Sequence, residues 1–268
     1  KGVTVFESKE PMNGISYLQV AFPADVLDAK DYIYLPCLCM CVSQVGWGNQ
    51  KWDKAQSRIQ SVTAGLGAYT HAGVVHPEAP EEDRNKIYVG RDWIIFQTKF
   101  LEENTKQAMS IVSECICQTD FSDTERLKEL VTSQYNSIRT SVIPYGNYYA
   151  YFRASCKNSR VRALIEIWDG LASVQSAERI AFMDEKKLAK KLKTLLSNIK
   201  EGGAFVNMIA TKKGLSIFKK ELPSFIENTS LKPLGQKKVC PDSDFYKLTE
   251  LKGFKKFGPA KKSCDDEY

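Results

Sequence analysis

DYIYLPCLCMCVSQVG, Asp31 to Gly46, is the stretch whose reading decides the fold. Leu35, Leu38, Val42 and Val45 recur at helical spacing. Asp31 is placed to cap the start of a helix and Gly46 its end. Pro36 fits only a first turn, so the helix is expected to begin near it. On that helix Cys37 and Cys41, four apart, share a face, and Cys39 points elsewhere. Three alternate cysteines admit a metal site, a disulfide anchor or plain core. Five of the eight cysteines, Cys37, Cys39, Cys41, Cys115 and Cys117, lie in apolar periodic segments. Free cysteine there behaves as a small hydrophobe, and a chain of 268 residues does not need staples. Reduced core thiols are therefore expected, with metal and disulfide as the alternatives.

Outward from this helix the pattern alternates between two periods. Before it, ISYLQVAFP (15–23) reads as a strand. After it, residues 52–67 read as a short helix on Ala55, Ile59, Val62 and Leu66. Residues 67–75 and 86–101 read as two antiparallel strands joined by the Pro- and acid-rich turn 76–85. Helices follow over 103–121 and 124–143, then over 147–171 in two pieces divided at Cys156–Ser159. The run 185–203 is a helix on Leu188, Leu192, Leu195, Leu196 and Ile199, ended by two glycines. Residues 204–214 return as a strand, and 214–228 form a helix that Pro223 is expected to kink. The order predicts an α+β fold, an antiparallel sheet with helices packed on one face. Residues 1–12 are expected to be a lead-in, 13–229 one unit, and 230–268 a linker or the start of a next unit.

Composition narrows the function. Hydrophobic residues make up 43% of the chain and charged residues 26%, ordinary for a globular protein. No apolar run approaches the roughly 20 residues of a membrane span. The first residues lack a signal-peptide core and an initiating Met, and read as a cut or processed start. The net charge of +6 comes from lysine clusters at 185–193, 219–223, 235–239 and 253–262. No recognition motif accompanies them and arginine is not concentrated with them, so solvated helix faces are expected rather than a nucleic-acid surface.

Three further stretches carry a family resemblance. NGISYLQVAFPADVLDAKDYIYLPCLCMCVSQVGW opens with a strand headed by Asn-Gly-Ile-x-Tyr. In YYAYFRASCKNSRVRALIEIWDGL, Tyr149, Ala150, Arg153, Ala154, Ser159, Glu166, Gly170 and Leu171 fall at fixed intervals. AFVNMIATKKGLSIFKKELPSFIE supplies a closing strand and helix. Over roughly residues 13–228 the chain resembles one homology unit of the pitrilysin/insulinase metallopeptidases. The match is to the third, non-catalytic domain of the presequence-protease branch. The resemblance implies a clamshell of four similar units around a peptide-sized chamber. The first unit carries His-x-x-Glu-His on its first helix and a later Glu as third zinc ligand; the others form walls.

Zinc hydrolysis needs three protein ligands, an open position for water and a carboxylate base. The only histidines are His71 and His76, with no Glu between them and no His-x-x-Glu-His. Counted from Gly46, Cys37 and Cys41 fall near the two histidine positions implied by the resemblance. Met40 falls near the base, and Glu114 and Cys115 lie on the helix that would give the third ligand. Cys37, Cys41 and Cys115 are thus the candidate metal ligands, but Met40 cannot take a proton from water. The chain itself is expected to be inactive and to hold no cofactor, with zinc implied for the full-length enzyme. The glycine loops at 46–49 and 64–68 lack the context of a phosphate cradle and read as caps and turns.

The function expected is a non-catalytic wall that encloses unstructured peptides, its partners being other units of the same polypeptide. Basic and apolar patches would hold acidic or extended peptides, and an exposed sheet edge could add a peptide strand. Arg91, Trp93, Arg153, Arg160 and Arg162 are the candidate contacts, arginine and aromatics being the usual anchors. The alternative is a stand-alone inactive subunit like those of processing peptidases and respiratory complexes. Alone, the unit would dimerise or bind a partner through its uncovered face. The chain is expected to be soluble, cytoplasmic if bacterial and organellar if eukaryotic.

Overall fold

Strand β2 (Ile15–Pro23) is built by alternation: Leu18, Val20 and Phe22 face the main core, while Tyr17 and Gln19 stay half-exposed on the other side. The same period runs through β5 (Trp93–Leu101), with Ile94, Phe96 and Phe100 inward, and β7 (Phe205–Ala210), with Val206 and Met208 inward. These three, with β1 (Thr4–Lys9) and β4 (Leu66–His71), make one sheet in the order β1-β7-β2-β5-β4. The structure, a computed structural model, describes residues 2–76, 78–238 and 240–252.

Every pairing in this sheet is antiparallel except β1 with β7, which is parallel from Thr4–Phe205 to Lys9–Ala210. Residues expected to be a lead-in therefore supply an edge strand. The signal was weak because Thr4–Lys9 has no clean alternation and is half-buried at best.

Between the strands run α1 (Leu35–Val42), the two-residue strand β3 (Gly46–Trp47), α2 (Trp52–Val62) and the short α3 (Glu81–Arg84). Then come α4 (Thr105–Gln118), β6 (Thr119–Asp120) paired with β3, α5 (Thr124–Ser141) and α6 (Gly146–Ser155). They are followed by α7 (Arg160–Asp169), α8 (Leu171–Ala181) and α9 (Glu185–Glu201). After β7 the chain forms α10 (Lys212–Thr229) and α11 (Asp242–Leu248).

Helix α9 shows how the layers are fastened. Asp184 caps it by accepting from the Lys187 amide at 2.9 Å. The expected stripe of Leu188, Leu192, Leu195, Leu196 and Ile199 is buried in the core that lines the sheet. Each such side chain contributes about 1.5–3 kcal/mol by leaving water. The helix stops at Gly202, and Gly203 takes φ +81°, where a Cβ would also collide with the Pro233 carbonyl oxygen. That close approach lets the Ala204 amide donate to the Lys232 carbonyl at 2.9 Å.

The segment after Thr229, read as having little core of its own, is anchored. Leu234, Phe245 and Thr249 are buried, and Phe245 joins the main core. The lysine run at 253–262, with the rest of 253–268 and Val239, lies outside the described residues. Pro223 sits inside an unbroken α10. The expected cap at Asp31 is displaced, because residues Ala29–Tyr34 form a tight 3-10 turn before α1 begins at Leu35. Gly46 is likewise not a cap, since α1 ends at Val42 and Gly46 pairs in β3. No helix among the described residues is long and apolar enough to cross a membrane.

Candidate functional site: the groove over helix α1

Helix α1 is buried on nearly every side. Leu35, Cys37, Leu38, Cys39, Cys41 and Val42 are all in the core, Cys39 included. Only Pro36 and Met40 of this helix, with Gln44 just beyond it, reach a groove of about 430 Å³, walled by α5 and closed at one end by Tyr149 and Trp168. Its walls offer the hydroxyls and amides of Ser133, Gln134 and Ser137 beside Leu130 and Ile138, with the Asp169 carboxyl also on the lining.

Three thiols beneath this groove, Cys39, Cys41 and Cys115, are pushed toward the protonated form. Burial pushes Cys39 up strongly and Cys115 up to about 12. A hydrogen bond with Cys37, together with burial, pushes Cys41 well above the ordinary thiol range. Cys115 instead donates its Sγ–H to the Val42 carbonyl at 3.3 Å. The seven cysteines of the described residues are free of disulfides. Glu114, on the helix expected to give a third ligand, is clamped by Arg58 through two bonds of 2.7 and 2.9 Å. Arg58 holds its carboxyl below the usual range. His71 lies at the exposed end of β4 and His76 in the following loop, where its ring accepts from the Glu78 amide. Zinc needs its thiol ligands deprotonated, and the burial of Cys41 and Cys115 opposes that. No three His, Cys, Asp or Glu among the described residues are grouped to hold a metal.

The candidate peptide contacts fall into a different structure, and two of the arginines form a buried ionic clasp. Arg91 is fully buried, and its Nε and Nη2 hold both oxygens of Asp25 at 2.8 Å. Its Nη1 donates to the carbonyls of Gly235 at 2.8 Å and Ile87 at 3.4 Å. Trp93 is buried beneath that guanidinium, 5.6 Å from it. Arg160 pairs with buried Asp92, which also accepts from the Tyr32 hydroxyl at 3.1 Å and the Gly73 amide at 3.3 Å. The clasp joins the 24–34 turn, the start of β5, helix α7 and the C-terminal segment. A cavity of about 190 Å³ lies beside it, rimmed by Lys237 and Lys238.

Arg153 and Glu166 form a second pair at 3.3 Å, with the glutamate buried, and Arg153 also donates to the Thr249 carbonyl. Glu166 accepts from the Ala172 amide at 3.2 Å, so its carboxylate caps the start of α8. A Cβ on Gly170 would collide with that carboxylate. The interval Arg153, Glu166, Gly170, Leu171 noted in the sequence is thus one architectural joint between α6, α7 and α8. Ser159 belongs to it too, capping α7 through the Arg162 amide. Of the four candidate arginines, Arg162 alone is free of ion pairs among the described residues, its guanidinium lying 5.1 Å from the Tyr151 ring.

The far side of the sheet is divided: Ala21, Trp93, Ile95 and Phe205 pack with Leu234 in a small apolar cluster, and the rest of the face is polar. Asn207 donates to Gln19 at 2.9 Å and Gln19 to Gln97 at 2.7 Å, with Tyr69 3.4 Å from both glutamines. Strand alternation contained this signal, since Tyr17, Gln19, Gln97 and Lys99 occupy the positions between core residues. The edges are β1 and β4.

Residues 1–180 match the family described as peptidase M-16C associated. The chain is 23% identical over 237 residues to the mitochondrial presequence protease of Xenopus tropicalis, covering 87% of this chain and 22% of that protein. It is 27% identical over 193 residues to the mitochondrial presequence protease of Danio rerio, covering 71% and 18%. It therefore spans about a fifth of the length of these curated relatives. Its fold is similar to that of a conserved protein from Enterococcus faecalis V583, with a TM-score of 0.60, 10% identity, and coverage of 86% and 51%. It is also similar to the periplasmic protease PqqL of Escherichia coli, with a TM-score of 0.52, 14% identity, and coverage of 88% and 24%.

Proposed function

The chain belongs to the peptidase M-16C associated family, and from that premise we propose that it is a non-catalytic unit of a longer zinc metallopeptidase. It helps enclose unstructured peptides that another unit of the same polypeptide cleaves. The observation that carries this reading is the outward face of α1. Where the resemblance implies a zinc-binding helix, the groove meets Pro36, Met40 and Gln44. The thiols lie beneath, Cys41 with its pKa raised by hydrogen bonding and burial and Cys115 by burial, and the acid on α4 is held by Arg58. A thioether offers no base to activate water. The groove's hydroxyl and amide walls instead suit a peptide backbone, which presents a donor and an acceptor at each residue.

The test is to incubate the chain with zinc and a fluorogenic unstructured peptide, and to measure cleavage and binding in parallel. Binding without turnover is expected. Turnover that Cys37→Ala or Cys41→Ala abolishes would overturn the assignment.

A further inference from the structure

Helix α6 turns the wrong side outward for a surface helix. Tyr149 is its one buried side chain, while Tyr148 and Tyr151, with Tyr145 just before the helix, are each more than half exposed. Ile143, in the turn that leads in, is 91% exposed. The rings run in sequence: Tyr145 to Tyr148 at 6.3 Å, Tyr148 to Phe152 at 6.5 Å, Phe152 to Tyr151 at 5.9 Å. Arg162 extends the line over Tyr151. An exposed aromatic row of this kind marks a contact surface.

Its charge says what it contacts. Between Glu129 and Glu166 there is no Asp or Glu, while Arg139, Arg153, Lys157, Arg160 and Arg162 all fall in that interval. Arg153 and Arg160 are committed to Glu166 and Asp92. Arg139, Lys157 and Arg162 have no carboxylate partner among the described residues. A second copy of this surface would bring like charges together, which opposes self-association. A nucleic-acid strand draws most of its affinity from neutralised phosphates, and three unpaired cations neutralise few. Extended peptide needs fewer charges and uses the aromatic faces.

We propose that the outward face of α6, with Ile143, Arg139, Lys157 and Arg162 around it, binds extended acidic peptides bearing aromatic or apolar side chains. This rests on the peptide-holding reading and assigns it a place and a ligand chemistry. Rings would take the apolar side chains, as tyrosine does at low entropic cost, and the three cations would take the carboxylates.

The probe is a fluorescein-labelled unstructured peptide of alternating Glu, Phe and Gly, followed by anisotropy, with a Lys-for-Glu version and an oligo-dT as comparisons. Two variants are used: Tyr145→Ser/Tyr148→Ser/Tyr151→Ser, and Arg139→Gln/Lys157→Gln/Arg162→Gln. The second leaves every ring of α6 in place if the first loses helix. The acidic peptide is expected to bind best, weakening about tenfold in either variant and weakening further as salt rises. Equal binding by wild type and both variants, or no preference for the acidic peptide, would overturn the site while sparing the peptide-holding reading. Absence of binding by every peptide would overturn both. Oligo-dT binding tighter than the acidic peptide, and lost in the variants, would overturn the proposal in favour of nucleic acid.

Discussion

Helix α1 and the Arg91–Asp25 pair of the clasp are both buried and solve burial in opposite ways. Around α1 four thiols, Cys37, Cys39, Cys41 and Cys115, are buried among Leu and Val. Burial pushes Cys39 and Cys115 toward the protonated form, and a hydrogen bond with Cys37 together with burial does the same to Cys41. In the clasp two guanidiniums and two carboxylates remain, each satisfied by a partner within hydrogen-bond reach. A thiol can shed its charge by keeping its proton, so it can fill space alone. A guanidinium cannot lose its proton in a protein, so burying Arg91 obliges the fold to bury Asp25 as well. One region is replaceable by any apolar group of the right size; the other is an all-or-nothing unit.

The sharpest break of that contrast is Asp25→Ala, which leaves Arg91 charged and unpaired in the interior. Loss of about 3–5 kcal/mol is expected, read as a drop in the urea midpoint, while Cys37→Ala should cost less. Equal losses would erase the distinction. Next, Gly170→Ala should cost about 1–3 kcal/mol, because a methyl there drives the Glu166 carboxylate off the start of α8. The same denaturation series checks it, with Ala181→Gly as a helix-propensity control. A third effect separates the regions by pH. Cys115 keeps its proton to about pH 12 when folded, while an unfolded thiol loses it near 9.0. The folded state therefore binds the extra proton between those values, and stability falls as pH rises through them. Replacing it in Cys115→Ala should flatten that fall by about 1.4 kcal/mol per pH unit. Smallest is Glu114→Gln, which breaks the partly exposed pair with Arg58 and should cost about 1 kcal/mol or less at neutral pH. That pair's share is present above the ordinary Glu range and disappears as the solution is acidified, since Arg58 lowers the carboxyl's pKa in the fold.

The comparison also shows what sequence can reveal. Periodicity exposed β2, α5, α9 and β7 because their alternation or stripe is set by the face they bury. The break between α6 and α7 was legible because Ser159 is a cap as well as a spacer. Helix α8, unread in the sequence, buries only Ala172, Ser173, Ile180 and Ala181, too small a stripe to stand out. The clasp was invisible for a different reason. Asp25 and Arg91 stand 66 positions apart, and nothing local distinguishes an arginine that will be buried from one that will meet a ligand. Arginine and tryptophan at Arg91 and Trp93 looked like anchors for a partner, and what Arg91 anchors is the protein's own C-terminal segment. The α6 surface was the converse case: its residues were read as a family signature, and only three-dimensional exposure separates Tyr149 from its neighbours.

Strand β7 sits between β1 and β2, and Asn207 reaches Gln19 across 188 positions of chain. During synthesis, then, the first two strands leave the ribosome with no neighbour for one of their edges until almost the whole unit has been made. Contacts this distant in sequence slow folding and prolong the time apolar edges stand open. Truncation anywhere before Ala210 cuts into the sheet's interior strand rather than a dispensable end.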